Sequence, residues 1–321
     1  MIRLAASRVG QTLIVLLVIA LIAFVLGAYV GDPLSALLPI DATQAQRNEL
    51  IAQLNLDKPM PERFWLFLSG AFQGDFGISF RTNEPVIDLL LARLPATLEL
   101  AIVSLLISLA VGIPTGVYAA LYPNRLLSRG FMFGSILGVT LPNFVVGIFL
   151  ILFFSVNLGW FNSFGRGETV QIGSWWTTGL LTSSGWRSLV LPAITMSLFQ
   201  IAFIMRMVRA QMQEVMQSDY IRFARARGIR QRSLHYWHAL KNTLIPVITI
   251  IGLQLGNIIA FAVVTEVVFS WPGMGSLFLQ SILAADMPVI SVYLVMIGLI
   301  YSLVNLAIEL IYPLVDPRVL S

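Results

Sequence analysis

Asp219-Tyr-Ile-Arg-Phe-Ala-Arg-Ala-Arg-Gly228 lies in a basic stretch, Arg206 to Lys241, and His238-Ala-Leu-Lys-Asn-Thr-Leu-Ile-Pro246 leads out of it; the stretch is set between two apolar runs without a charged residue, Ser188–Met205 and Thr243–Thr265. Ser218 or Asp219 can cap a short helix there, and Gly228 stands where a helix C-terminus takes glycine, because the left-handed backbone needed at that point is costly with a Cβ. At helical spacing Tyr220, Phe223 and Ala224 share a face, flanked by Arg222, Arg225 and Arg227. A second helix, Arg230 to Lys241, leads into the next apolar run. An aromatic ridge with small residues and a basic rim suits a groove on another protein, and it equally suits an amphipathic helix lying on anionic lipid. The residues alone leave both readings open.

The surrounding chain decides the solvent. Of its 321 residues, 57% are hydrophobic and 11% charged, and the mean hydropathy is +0.84. Soluble domains carry about 25% charged residues, so lipid is the expected surroundings. A net charge of +4 and a pI near 9.6 follow from Lys and Arg gathering in cytoplasmic loops, which argues against nucleic acid as a partner. The absence of cysteine excludes disulfides and thiolate metal sites, and two histidines, His235 and His238, are a poor basis for a metal centre.

A membrane helix needs about 20 mostly apolar residues. Six charge-free stretches qualify: Val9–Val30, Leu100–Leu121, Phe131–Leu158, Ser188–Met205, Thr243–Thr265 and Met287–Ile308. The expected fold is therefore an all-α integral membrane protein with six transmembrane helices. The third stretch is long enough to need tilt or an end outside the lipid. Val9–Val30 follows Arg3 and Arg8 but exceeds a signal-peptide core and lacks a small-x-small cleavage site, so it is read as a retained span. With the N-terminus inside, Arg125, Arg129, the arginines from Arg206 to Arg232, Lys241 and Arg318 all fall on the cytoplasmic side, which places both termini there.

Two segments then face outward. In Gly31–Leu98, Thr43 is a helix cap, Leu50, Ile51, Leu54 and Leu56 fall largely on one face, and Gly74-Asp-Phe-Gly77 makes a turn. Gly159–Arg187 carries Trp160, Trp175, Trp176 and Trp186, which at headgroup level act as anchors. Inside the spans, Gly112-Ile-Pro-Thr-Gly116 and Gly252-Leu-Gln-Leu-Gly256 permit close helix packing, and Pro114 and Thr140-Leu-Pro-Asn143 favour kinks. Gln254 and Asn257 lie three apart on one face, and with Asn143 and Asn305 they are candidate pathway residues, since polar groups at membrane depth are functional by default. Glu99, Glu266 and Glu309 stand near predicted span ends, where solvation at the interface or pairing accounts for them.

The basic stretch resembles the "EAA" coupling loop of ABC-importer permeases, especially the dipeptide/oligopeptide/nickel branch. Its Asp-Tyr-x-Arg-x-Ala-Arg-Ala-x-Gly element matches Asp219–Gly228, with Leu244-Ile-Pro246 following. Asn55-Leu-Asp-Lys-Pro, Gly74-Asp-Phe-Gly-Ile-Ser-Phe, Arg93-Leu-Pro-Ala-Thr-Leu-Glu-Leu100, Glu266-Val-Val-Phe-Ser-Trp-Pro-Gly-Met-Gly275 and Tyr312-Pro-Leu-Val-Asp-Pro-Arg318 extend the similarity to that family's B-type subunit over nearly the whole chain.

The resemblance implies a type I importer (MetI-like) permease core at 99–321, including a coupling loop at 206–242, preceded by an N-terminal span at 1–30 and a periplasmic loop region at 31–98. It implies that Asp219, Tyr220, Ile221, Arg222, Phe223, Ala224, Arg225, Ala226, Arg227 and Gly228 dock into a cytoplasmic ATPase. It also puts the Phe269–Gly275 turn at the periplasmic mouth of the pathway. The implied partners are a C-type permease subunit, two ATP-binding subunits, a periplasmic or lipid-anchored solute-binding protein, and membrane lipid of the bacterial cytoplasmic membrane. The chain holds no phosphate loop, so ATP and Mg belong to the partners and this chain is neither an enzyme nor a cofactor protein. Peptides are the implied substrate, with nickel chelates, glutathione and other small solutes as alternatives in the family. An ion-coupled secondary transporter would instead show midplane ionisable residues and matching halves, and a non-transporting scaffold would not need kinked, polar-bearing spans.

Overall fold

The computed structural model describes residues 2–29, 34, 38 and 42–315. Most of residues 30–41 and the Asp316-Pro-Arg318 ending lie outside the described residues, as do the side chains of 2–9, 53, 245, 248–253, 255, 260 and 309–315, that of Glu309 among them, and the surroundings of Gly252.

Helices α1 (Ile2–Tyr29), α2 (Gln44–Gln53) and α3 (Met60–Gln73) are followed by the long α4 (Val86–Leu121). Next come α5 (Leu126–Thr140) and α6 (Asn143–Leu150), the latter running into a π-helical turn, Ile151–Asn157. A hairpin of β1 (Val170–Ile172) and β2 (Trp176–Thr178) precedes α7 (Ser183–Gln217) and the short α8 (Asp219–Ala226). The single turn α9 (Gln231–Ser233) continues through a π-helical segment, Leu234–Ala239, into α10 (Leu240–Ala260). The chain then forms α11 (Ala262–Val268), α12 (Met274–Leu283) and α13 (Met287–Val315).

Among the described residues, four helices are long and apolar enough to cross a membrane, or five if one bent pair counts as a span. That pair corrects the expected third span. Leu126–Thr140 and Asn143–Asn157 meet at 108°, so the stretch is a broken span or a re-entrant loop and not one tilted helix. The break falls at Leu141-Pro142, where proline removes a backbone donor and pushes its predecessor out of the α region; Leu141 is extended, with ψ 129°. Pro114 acts differently, since α4 continues through it, as α7 does through Pro192. The fourth span is part of a much longer helix than its charge-free core, because α7 begins at a Thr182 cap and runs past Arg206 and Arg209.

The chain divides into two compact units. The first holds residues Met1–Thr97, Gln171–Thr177 and Pro272–Leu306. There Ser291 Oγ donates to the Ala23 carbonyl at 3.0 Å, and a Cβ on Gly298 would come within 2.5 Å of Ile19, so α1 and α13 pack closely. Thr43 and Gln46 form a reciprocal capping box at the start of α2. Gly74, at φ +80°, ends α3, and the Gly77 N–H donates to Asp75 Oδ1, making the expected turn. Ser79 Oγ and the Phe80 N–H both donate to the buried carboxylate of Asp286, which holds the segment after the turn against the α12–α13 corner.

The second unit holds Leu98–Val170, Thr178–Trp271 and Ala307–Ser321, with α7 as its most buried span. Gly112 and Gly116 serve packing. A Cβ on Gly116 would come within 2.7 Å of the Met205 carbonyl and 2.8 Å of Val208, so α4 and α7 approach backbone to side chain. The segment after the π-helical turn is tied down: Asn162 Nδ2 donates to Ser188 Oγ at 2.7 Å, and the Gly165 N–H donates to the Phe269 carbonyl at 2.9 Å. Arg166 donates to Glu99 at 2.7 Å with both side chains buried, so Glu99 is paired and not solvated at the interface. Glu266 is fully buried as well. Phe269 and Trp271 are core residues at 1% exposure, so this aromatic turn presents no open rim of its own.

Candidate functional site

The ending of α8 gives the loop its shape. Gly228 sits at φ +76°, its N–H donates to the Arg225 carbonyl, and the Ile229 N–H reaches back to the Ala224 carbonyl. These two bonds make a Schellman ending, and Ala224 and Ile229 supply its apolar contact within one core cluster. At the other end Ser218 is the N-cap by position, but its hydroxyl donates to the Val215 carbonyl, and Asp219 pairs with Arg222 at the surface.

Burial divides the helix into two faces and corrects the sequence expectation for Ala224. Ile221 and Ala224, three apart, point inward and pack with Met212, Leu234, Ala239 and Val247. Tyr220, Phe223 and Arg227 point outward: Phe223 is 63% exposed and the Arg227 guanidinium lies 5.5 Å from its ring centre. At 100° per residue Ala224 stands about 40° from Tyr220 and about 60° from Ile221, so the wheel permits either face, and it is the surrounding core that claims Ala224 together with Ile221. Burying an isoleucine stabilises by about 1.5–3 kcal/mol, and that inner face is what anchors the outer one.

Two further aromatics of the loop are exposed, and sequence reasoning missed them. Tyr236 and Trp237, on the π-helical segment, are 57% and 76% exposed. The clustered Leu234-His-Tyr-Trp-His238 beside a basic helix was the available signal. A π turn shifts the side-chain register by one residue, which α-helical spacing does not anticipate. Tyr220 Oη and His238 Nδ1 join the two segments. His235 is held below the usual imidazole range, first by burial and then by the charge of Arg225.

Of the candidate pathway residues, the structure pairs Gln254 and Asn257, with Asn257 Nδ2 donating to Gln254 Oε1 at 3.1 Å. Asn143 opens α6 directly after the Pro142 break. Asn305 belongs to the first unit, and its Oδ1 is buried without a hydrogen-bond partner among the described residues. The same holds for Oε1 of Gln200, a buried residue of α7 not singled out from sequence.

Among the described residues no group of His, Cys, Asp and Glu is arranged to hold a metal.

Comparison with known proteins agrees with this architecture. Residues 112–321 match the family model described as the inner membrane component of binding-protein-dependent transport systems, and residues 1–101 match its N-terminal companion. The oligopeptide transport system permease protein AppB of Bacillus subtilis is 37% identical over 98% of this chain and 99% of its own length. The di/tripeptide transport system permease protein DppB of Pseudomonas aeruginosa is 35% identical, covering 99% of each. Among solved structures, an inward-facing conformation of the MetNI methionine ABC transporter superposes with a TM-score of 0.53 at 18% identity, covering 69% of this chain and 93% of that one, a likeness of fold. A helical, multi-pass architecture and two family matches covering nearly the whole length lead to one conclusion: this chain belongs to the family of inner-membrane components of binding-protein-dependent transport systems.

Proposed function

We propose that this chain is one half of the translocation pathway of an ABC importer for di- or oligopeptides, driven by ATP hydrolysis on two cytoplasmic partner subunits. The observation that carries the proposal is the two-faced α8, whose Ile221 and Ala224 are locked into the chain's own core while Tyr220 and Phe223 stand exposed between arginines. A rigid helix with an unpartnered aromatic face can transmit a push, whereas a flexible loop would absorb it. The bound ATP and Mg reside on the partners, and this chain catalyses no reaction. A C-type permease completes the pathway, and the outer segments 31–98 and 159–187 receive the solute-binding protein. Both termini lie in the cytoplasm. The peptide assignment follows from the substrates named for AppB and DppB, and Gln254, Asn257, Asn143 and Asn305 are its pathway residues.

The test is reconstitution of the transporter with its genomic partners in proteoliposomes. ATP-dependent uptake of labelled peptide is expected, and Phe223→Cys is expected to form a cross-link to an ATP-binding subunit. Gly228→Val is expected to leave the chain in the membrane while hydrolysis loses its link to uptake, because a β-branched residue cannot hold φ +76° without strain. Normal uptake by Gly228→Val together with no Phe223→Cys cross-link would sink the docking assignment, and uptake without ATP would sink the importer.

A further inference from the structure

A cavity lined by residues of α4, α5 and α7 holds two arginines and no acid. Its volume is about 390 Å³, and its lining includes Ser128, Arg129, Met132, Phe133, Ile136 and Arg209. Arg209 is poorly served there: its Nη1 reaches only the thioether of Met132, at 3.1 Å, and its Nε is buried without a hydrogen-bond partner among the described residues. A thioether is a weak acceptor, and a guanidinium cannot shed its proton to escape the cost. Arg129 stands beside it, exposed, in the first turn of α5, whose N-cap residue Arg125 provides no side-chain cap. The helix dipole adds further positive potential at that point.

The cavity is amphipathic in one direction. Arg129 precedes the charge-free run that begins at Phe131, and Arg209 follows the one that ends at Met205, so both guanidiniums stand at the level where apolar side chains give way to headgroups. Apart from Ser128, whose hydroxyl donates to the Tyr122 carbonyl, the remaining wall is apolar and includes Phe133 and Ile136, both more than half exposed. An anion with an apolar tail satisfies both halves. We propose that this cavity binds an anionic phospholipid, its phosphodiester held by Arg129 and Arg209 and its first acyl methylenes lying on Phe133 and Ile136. Planar guanidiniums match phosphate oxygens in two-point contacts, and such charge-assisted bonds are the strong ones.

Native mass spectrometry of the full chain in mixed micelles tests this, using phosphatidylglycerol, phosphatidylcholine and inorganic phosphate as probes. The wild type is expected to retain phosphatidylglycerol over phosphatidylcholine. Arg129→Gln, at an exposed position that does not threaten folding, is expected to lower that retention about tenfold, and Arg209→Gln to do the same. Excess inorganic phosphate is expected to displace nothing. Equal retention by wild type and Arg129→Gln would overturn the proposal, as would equal retention of the two lipids. Displacement by inorganic phosphate would assign the cavity to a free anion and overturn the lipid assignment.

Discussion

Tyr220 Oη and His238 Nδ1 meet at 2.7 Å, eighteen residues apart in sequence, with their rings edge to face at 5.9 Å. This contact fastens α8 to the π-helical segment and makes one surface of two short elements. Removing the hydroxyl with Tyr220→Phe keeps the ring packing and loses one hydrogen bond, worth about 0.5–1.5 kcal/mol. Amide exchange in residues 219–227 should accelerate accordingly while exchange in α7 is unchanged. No acceleration would mean that the buried face alone holds the helix.

The two faces of α8 predict opposite phenotypes. Phe223→Ala removes exposed surface, so thermal stability should change by less than about 0.5 kcal/mol while ATP-coupled uptake falls. Ala224→Arg drives a charge into a site that is 5% exposed, so it should destabilise the loop itself. Unfolding midpoints and uptake measured on both variants decide the matter; equal midpoints would refute the inward placement of Ala224.

The loop should also loosen in acid. The His235 pKa lies below 6.5 in the folded chain, so between the two values the unfolded loop binds more protons. The stabilisation from a neutral His235 is complete above pH 6.5 and is lost as pH falls through the folded value. After correction for intrinsic rates, exchange of amides 231–240 should be faster at about pH 5.5 than at about pH 7.5 in the wild type, and His235→Gln should flatten the difference. An unchanged profile in the variant would assign the effect to another group.

Also in the second unit, Glu99 and Arg166 are a buried ion pair. Breaking such a pair from one side costs about 3–5 kcal/mol, whereas replacing both partners with apolar groups can be neutral. Glu99→Gln should lower the unfolding midpoint, and the double change Glu99→Leu with Arg166→Met should recover most of it. A wild-type midpoint in Glu99→Gln would show that the pair contributes nothing.

Much was already determined by the sequence alone. Apolar runs of membrane length, the basic loop, Gly228 as a helix stop, the Thr43 cap and the position, though not the 108° size, of the bend at Thr140-Leu-Pro-Asn143 are local features, set by proline, glycine and side-chain oxygens within a few residues of where they act. The family likeness of the Asp219–Gly228 element was legible for the same reason. Only the tertiary structure decided which way each face points. Tyr220 and Ala224 are four apart and plausible neighbours on a helical wheel, yet the cluster of Met212, Leu234 and Val247 claims Ile221 and Ala224 and leaves Tyr220 outside. It also decided that Glu99 finds Arg166 across 67 residues, that Phe269 and Trp271 are core, that Trp237 is exposed, and that Arg209 faces a cavity instead of a carboxylate. Hydrophobic periodicity reports that a residue prefers burial, but the burying surface comes from distant segments, and no local pattern encodes where they meet.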